Sequence, residues 1–338
     1  MSRSLMHLTR LGFALGSLVL LLAACASDSL PTQPDAPHSA APIDAVPASY
    51  LPDSWASKPS MPTARRGLVT STVDGIVYGI GGRSANEVNL KTVEAFNPAS
   101  KSLIVWTPKA PMPSPRAWPS GAVTINGKIY VPGGLNADAS PTKTLFVYNP
   151  KTNTWGKKAA MPVNSYGGAA VAIGGKLYVV TPSASSTLLH RYDPATNTWT
   201  ARASGLHGHY YPVAGVIDGK LYVAGTMHGD ESPSGLVSMY DPATNAWTAK
   251  TGMPGDQIGA GGRVLGGKLY AIGGFVELNS VPRAAAYAYD PVTNAWAEKT
   301  LMPGSRGFLS AAASNGVLYA IGGLSTPNVL ATNQAYTP

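Results

Sequence analysis

One pattern of apolar and turn positions recurs six times along the chain. An apolar strand runs into a turn containing glycine, an aliphatic residue and a tyrosine follow, and a Gly-Gly pair usually closes the unit. The copies are DGIVYGIGG at Asp74–Gly82, NGKIYVPGG at Asn126–Gly134, GGKLYVVTP at Gly174–Pro182, DGKLYVAGT at Asp218–Thr226, GGKLYAIGG at Gly266–Gly274 and NGVLYAIGG at Asn315–Gly323. Their tyrosines lie 44–52 residues apart. Asp-Gly, Asn-Gly and Gly-Gly between two apolar runs favour positive φ at both central residues, which predicts tight hairpins. A second element, YDPATNTW at Tyr192 and its relatives at Phe96, Tyr148, Tyr240 and Tyr289, predicts a second hairpin through Asp-Pro or Asn-Pro. Met-Pro precedes five copies, at Met61, Met112, Met161, Met253 and Met302.

Each unit therefore holds four short strands, and one such sheet cannot bury both its faces. Six packed around an axis bury them against one another, with Trp and Tyr filling the gaps between sheets. The Gly-Gly pairs are expected where backbone runs close to the crowded axis. Six tryptophans precede the next tyrosine by 23 or 24 residues, but Trp55 comes before the first tyrosine and the last unit stops at Tyr336-Thr337-Pro338. The segment around Tyr50–Ala56 is thus expected to supply the outer strand of the last sheet and cover two edges that would otherwise stay open.

These three elements together resemble the Kelch repeat over residues 49–338. The resemblance implies an all-β, six-bladed Kelch-type β-propeller, closed by an N-terminal outer strand pairing with the C-terminal blade. Composition agrees: Gly and Pro make up 66 of 338 residues, which disfavours long helices.

The N-terminus follows a different logic. A start carrying Arg3 and Arg10 leads into Leu11–Ala24, an uncharged and largely apolar run of 14 residues, then Cys25. That is too short to span a bilayer, which needs about 20 residues, and reads as a signal-peptide core. Leu22-Ala23-Ala24-Cys25 resembles the lipobox of bacterial lipoproteins, which implies a signal peptide over 1–24 and lipidation of Cys25, the only cysteine. Residues 25–48, rich in Pro, Ala and Ser, read as an extended tether. A cell-envelope location follows, with membrane contact through Cys25, and Ala26 after the cysteine favours the outer membrane. The alternative is an ordinary secreted protein with its cysteine near the cut.

The formal net charge is +8, and +6 once Arg3 and Arg10 leave with the leader. No run of Lys and Arg stands out, so no nucleic-acid partner is expected. A monomer is expected.

In a propeller of this topology the loops entering each blade share a face with the loops between second and third strands. Counting back 13 residues from each tyrosine, 14 in the second copy, gives Arg65, Arg116, Ser165, His209, Gln257 and Arg306. Two roles are open to these positions. They could form a cup at the channel mouth for acidic peptides or acidic sugars, since Arg offers a planar fork to carboxylates; in Kelch proteins, arginines near here often line the ligand-facing pocket. Alternatively, they satisfy buried carbonyls. Copies three and four depart most from the pattern. Near their shortened rim Tyr166, Tyr210, Tyr211, His207, His209 and His228 could form a recognition wall, or reflect drift among repeats. His207, His209 and His228, with Asp230 and Glu231 nearby in sequence, raise zinc or copper as an option, but their spacing is no known ligand signature, and no metal or cofactor is assigned.

Among enzymes of related architecture, galactose oxidase requires a Cys–Tyr cofactor, which Cys25 cannot supply. The six-bladed Kelch enzyme N-acetylneuraminate epimerase is the nearer analogue. It implies a carboxylate-binding Arg and an acid, for which Glu87, Glu231 and Glu277 are candidates without a matching motif. The expectation is a binding module for protein or acidic carbohydrate, with a sialic acid mutarotase as the alternative.

Overall fold

The computed structural model describes residues 52–102, 105–183, 186–227, 233–255, 257–277 and 280–338. The leader, Cys25, the tether and Tyr50 lie outside the described residues, as do His228, Asp230 and Glu231.

Six four-stranded antiparallel sheets stand as blades in a ring. From the axis outward, blade 1 runs Val69–Val73, Ile76–Ile80, Val93–Phe96 and Trp106–Pro108; blade 2 runs Val123–Ile125, Lys128–Pro132, Leu145–Asn149 and Thr154–Lys158. Blade 3 comprises Ala169–Ile173, Lys176–Pro182, Thr187–Asp193 and Thr198–Arg202. Blade 4 comprises Val213–Ile217, Lys220–Met227, Pro233–Asp241 and Ala246–Lys250, and blade 5 Gly261–Leu265, Lys268–Ile272, Ala286–Asp290 and Ala295–Lys299. Blade 6 takes Ser310–Ser314, Val317–Ile321 and Asn333–Thr337 from the C-terminus, and its outer strand, Ser54–Lys58, from the N-terminus.

The first hairpin of every blade has the expected chemistry. Both central residues of Asp74-Gly75, Asn126-Gly127, Gly174-Gly175, Asp218-Gly219, Gly266-Gly267 and Asn315-Gly316 have positive φ, as a type I′ turn requires.

The core lies between blades. The second-strand tyrosine of each blade packs against the third-strand aromatic of the next. The pairs Tyr78–Tyr148, Tyr130–Tyr192, Tyr178–Tyr240, Tyr222–Tyr289 and Tyr270–Tyr336 lead to Tyr319–Phe96, which closes the circle, all with ring centroids 5.4–6.2 Å apart. The Gly-Gly pairs face the neighbouring blade instead of the axis. A Cβ on Gly81 would sit 2.4 Å from the Arg116 carbonyl oxygen of blade 2, and one on Gly133 2.3 Å from that of Ser165 in blade 3. The second glycine then donates its N–H to the same oxygen, Gly82 to Arg116 at 2.8 Å and Gly134 to Ser165 at 2.7 Å. Only a residue without a side chain allows so close an approach.

Closure follows the predicted register. Trp55 pairs with Tyr336, and their rings are 5.0 Å apart.

Candidate functional site

The six positions read from the sequence are equivalent in the fold, and all are buried. Arg65, His209, Gln257 and Arg306 are at most 1% exposed, Ser165 2% and Arg116 3%. In most blades the side chain turns toward its own third strand, to the residue two before the aromatic. Arg65 meets Glu94 at 3.1 Å and donates to the Gly79 carbonyl. Arg306 donates to Gln334 Oε1 at 2.6 Å and to the Ala320 carbonyl. Arg116 stacks on Phe146, its guanidinium carbon 5.0 Å from the ring centroid, and donates to Asn136 Oδ1. Burial lowers the pKa of Arg65 to about 10 despite the opposing Glu94, and that of Arg306 to about 10.

His209 donates from Nδ1 to the Gly225 carbonyl, and its Nε2 accepts from the Ser238 hydroxyl. Both ring nitrogens are therefore engaged within blade 4. Burial brings its pKa down to about 4, so it is neutral near pH 7. Ser165 shares a hydrogen bond with Ser120, and the Gln257 side-chain amide has no hydrogen-bond partner among the described residues.

The rim of the channel is made two residues further on, by Gly67, Trp118, Gly167, Tyr211, Gly259 and Phe308. Glycine and aromatic alternate around the circle. All six have φ between 44° and 63°. Each N–H donates to the carbonyl of its counterpart in the preceding blade: Trp118 to Gly67, Gly167 to Trp118, Tyr211 to Gly167, Gly259 to Tyr211, Phe308 to Gly259, and Gly67 back to Phe308, at 2.7–3.1 Å. The result is an annulus of six hydrogen bonds. Its glycines leave room for the aromatic rings, since a Cβ on Gly67 would lie 2.5 Å from the Trp118 indole and one on Gly167 2.6 Å from the Tyr211 ring. Trp118, Tyr211 and Phe308 hold left-handed backbone that bulky residues seldom adopt. Strain of this kind, about 1–3 kcal/mol per residue, concentrates at functional sites.

Charge gathers at one side of this rim. Arg66 and Arg83 exchange two backbone hydrogen bonds, which brings their side chains together. Their guanidinium carbons stand 5.9 and 4.8 Å from the Trp118 ring centroid. Both reach the Glu87 carboxylate, Arg66 at 2.6 Å and Arg83 at 3.4 Å; Glu87 is 56% exposed and each arginine below 20%. Burial pushes the Tyr211 hydroxyl up to about 12, with the nearby Tyr166 adding to the shift and Arg83 opposing it. Tyr166, Tyr210 and His207 are partly exposed, whereas Glu277 is exposed and its backbone is tied to Ser280. Arg66 lies one residue beyond the first counted position, and the rim aromatics lie two beyond theirs. The signal was present: two residues past each counted position the sequence reads Gly, Trp, Gly, Tyr, Gly, Phe.

Fold and motifs together define the class. The chain is a six-bladed β-propeller, and residues 119–162, 208–254 and 259–300 match the Kelch motif. An F-box/kelch-repeat protein of Arabidopsis thaliana is 31% identical over 130 residues, 38% of this chain and 33% of that protein. Kelch-like protein 33 of Homo sapiens is 32% identical over 99 residues, 29% of this chain and 18% of its own length. The matched stretch thus spans a third or less of either relative. The solved structure of YjhT superposes with a TM-score of 0.70 at 16% identity, covering 82% of this chain and 95% of that one.

Proposed function

We propose that this protein is a binding module whose ligand, an acidic protein segment or acidic carbohydrate, docks at the rim of the channel on Trp118, Arg66 and Arg83. Kelch propellers commonly act as protein-binding modules. The observation that carries the reading is the pair of arginines beside a partly exposed indole, held by an exposed Glu87. The indole offers a flat face to a sugar or an aromatic side chain. The arginines offer a fork to a carboxylate, and the Glu87 carboxylate occupies the place a ligand carboxylate would take. Calorimetric titration with N-acetylneuraminate and with an acidic peptide tests this. Arg83→Ala and Trp118→Ala should each weaken binding at least tenfold, and Glu87→Gln should strengthen it by freeing both arginines. Failure of both probes to bind the native protein, or unchanged affinity in R83A and W118A, rejects the site.

The same cluster favours one further reading. A carboxylate beside two arginines is what a sialic acid mutarotase would need, with Glu87 moving the proton and arginine holding the substrate carboxylate. Proton NMR of anomerically pure N-acetylneuraminate would show accelerated anomer exchange that Glu87→Gln abolishes; an unchanged rate with the native protein rejects it.

The lipobox-like sequence supports anchoring of the propeller in a bacterial cell envelope through Cys25. Detergent phase partitioning of native protein and Cys25→Ser should place only the former in the detergent phase.

A further inference from the structure

The axial channel contains one feature that the rim ligand does not use. Two adjoining cavities, of about 130 and 290 Å³, run along the axis, and Ala122, Ala170, Ala214 and Arg263 belong to the walls of both. Among the described residues neither wall includes Asp, Glu or His, and Arg263 is the only charged residue in either. Arg263 projects from the innermost strand of blade 5, opposite Tyr270 in the register. The matching residues of the other blades, opposite Tyr78, Tyr130, Tyr178, Tyr222 and Tyr319, are Ser71, Val123, Val171, Gly215 and Ala312. None carries charge. Arg263 reaches past blade 6 to blade 1, where its Nη2 donates to the Thr70 carbonyl at 2.6 Å. No ion pair includes it among the described residues.

A guanidinium stays protonated in proteins and has five N–H donors. Arg263 is half-buried, and holding a cation away from bulk water without a counter-charge is unfavourable. Burial lowers the pKa of Arg263. The hydroxyls nearby are neutral and bring no counter-charge; their hydrogens go to backbone, Thr70 donating to the Ala311 carbonyl, Thr72 to that of Ala313 and Thr124 to that of Thr72. An anion is the species that would complete the site. The walls around Arg263 are mostly Ala, Gly and Val, with no second cation for a divalent anion and no donor array for a sugar. A small monovalent ion fits that chemistry. We propose that the channel binds a halide-sized inorganic anion on Arg263, independently of any ligand at the rim.

Bromide is the probe. Crystals grown in sodium bromide should give an anomalous bromine peak in the channel beside the Arg263 guanidinium, absent in Arg263→Gln. In solution, replacing gluconate with bromide at constant ionic strength should raise the melting temperature along a saturable curve, by a few degrees once bromide exceeds its Kd tenfold. R263Q should melt at a temperature insensitive to the exchange. If R263Q does not fold, Arg263→Lys keeps the cation and should keep the bromide response. An empty channel in the native crystals overturns the proposal. So does a peak with no saturable thermal response, which marks an adventitious ion only, and so does an equal response in R263Q.

Discussion

Glu94 lies 3.1 Å from the Arg65 guanidinium with both side chains buried, as an ion pair that also receives a hydrogen bond from Thr63. Removing one member of such a pair strands the other, at about 3–5 kcal/mol. Glu94→Ala should lose that much in urea denaturation, and a loss below about 1 kcal/mol would show the pair to be idle. Glu94→Gln should cost less, because Gln334 already serves Arg306 this way in blade 6. His209 gives a second test. Its pKa falls from 6.5 to about 4 on burial, so the unfolded chain binds the extra proton first as pH drops. The stability it withholds is absent above pH 6.5 and grows to roughly 3 kcal/mol by pH 4, at about 1.4 kcal/mol per unit. His209→Gln should flatten that limb of the stability–pH curve; an unchanged slope would place the acid sensitivity elsewhere. The equivalence of Arg65, Arg116, Ser165, His209, Gln257 and Arg306 was legible because the repeat fixes register. Their direction was not, since neighbouring residues in extended chain point to opposite sides. One step in sequence separates buried Arg65 from Arg66 at the rim.

At the scale of the repeating element, an asparagine links each of blades 2 to 5 to the blade before it. In blade 2, Asn153 Oδ1 accepts from the Tyr148 hydroxyl and from the Ala110 N–H, while the Trp155 indole donates to the Ala110 carbonyl. Asn197, Asn245 and Asn294 repeat this with Ala159, Ala203 and Thr251. In blade 6 Asp53 takes the asparagine's place, accepting from Tyr336 and Thr300 while Trp55 donates to the Thr300 carbonyl. Among the described residues blade 1 shows the tryptophan half, Trp106 to Pro59, where proline has no N–H to satisfy. Asp53-Ser54-Trp55 is thus a displaced copy of Asn-Thr-Trp, and the tryptophan spacing exposed it although the acidic first residue hid the match. Asp53→Ala should destabilise by about 1–3 kcal/mol, the cost of abandoned hydrogen-bond partners, while Asp53→Asn restores the motif of the other blades. The hydrogen bond from Tyr336 holds the Asp53 carboxyl below its usual range. Its contribution is therefore complete above about pH 4 and lost as pH falls through the depressed value. D53N should remove that acid-induced loss, and identical acid unfolding of D53N and the native chain would refute the clamp.

For the whole molecule, three sets of interactions run around the axis without a break. They are the rim hydrogen bonds, the interblade aromatic pairs and the contacts of each blade with the next blade's entry loop, which continue from blade 6 to blade 1 as Gly323 donates to the Arg65 carbonyl. The hairpins and aromatic spacing made this architecture readable, since each unit carries its own copy of the code. The rim was harder to read because its six hydrogen bonds join residues from six repeats and belong to no one of them. An open array of repeats is stabilised by nearest neighbours and can fray from either end; a closed ring gives every blade two neighbours. Removing residues 53–58 would leave the third strand of blade 6, Asn333–Thr337, as an unpaired edge and strip Tyr336 of its Trp55 contact. The loss would reach beyond one blade, because Trp55 and Asp53 also hold the loop leaving blade 5 through Thr300. The truncated chain should melt at a lower temperature, in a broader transition, and associate through the exposed edge. Differential scanning calorimetry with light scattering reads both effects. A truncated chain that melts like the native one and scatters no more light would mean that the ring does not depend on its N-terminal strand.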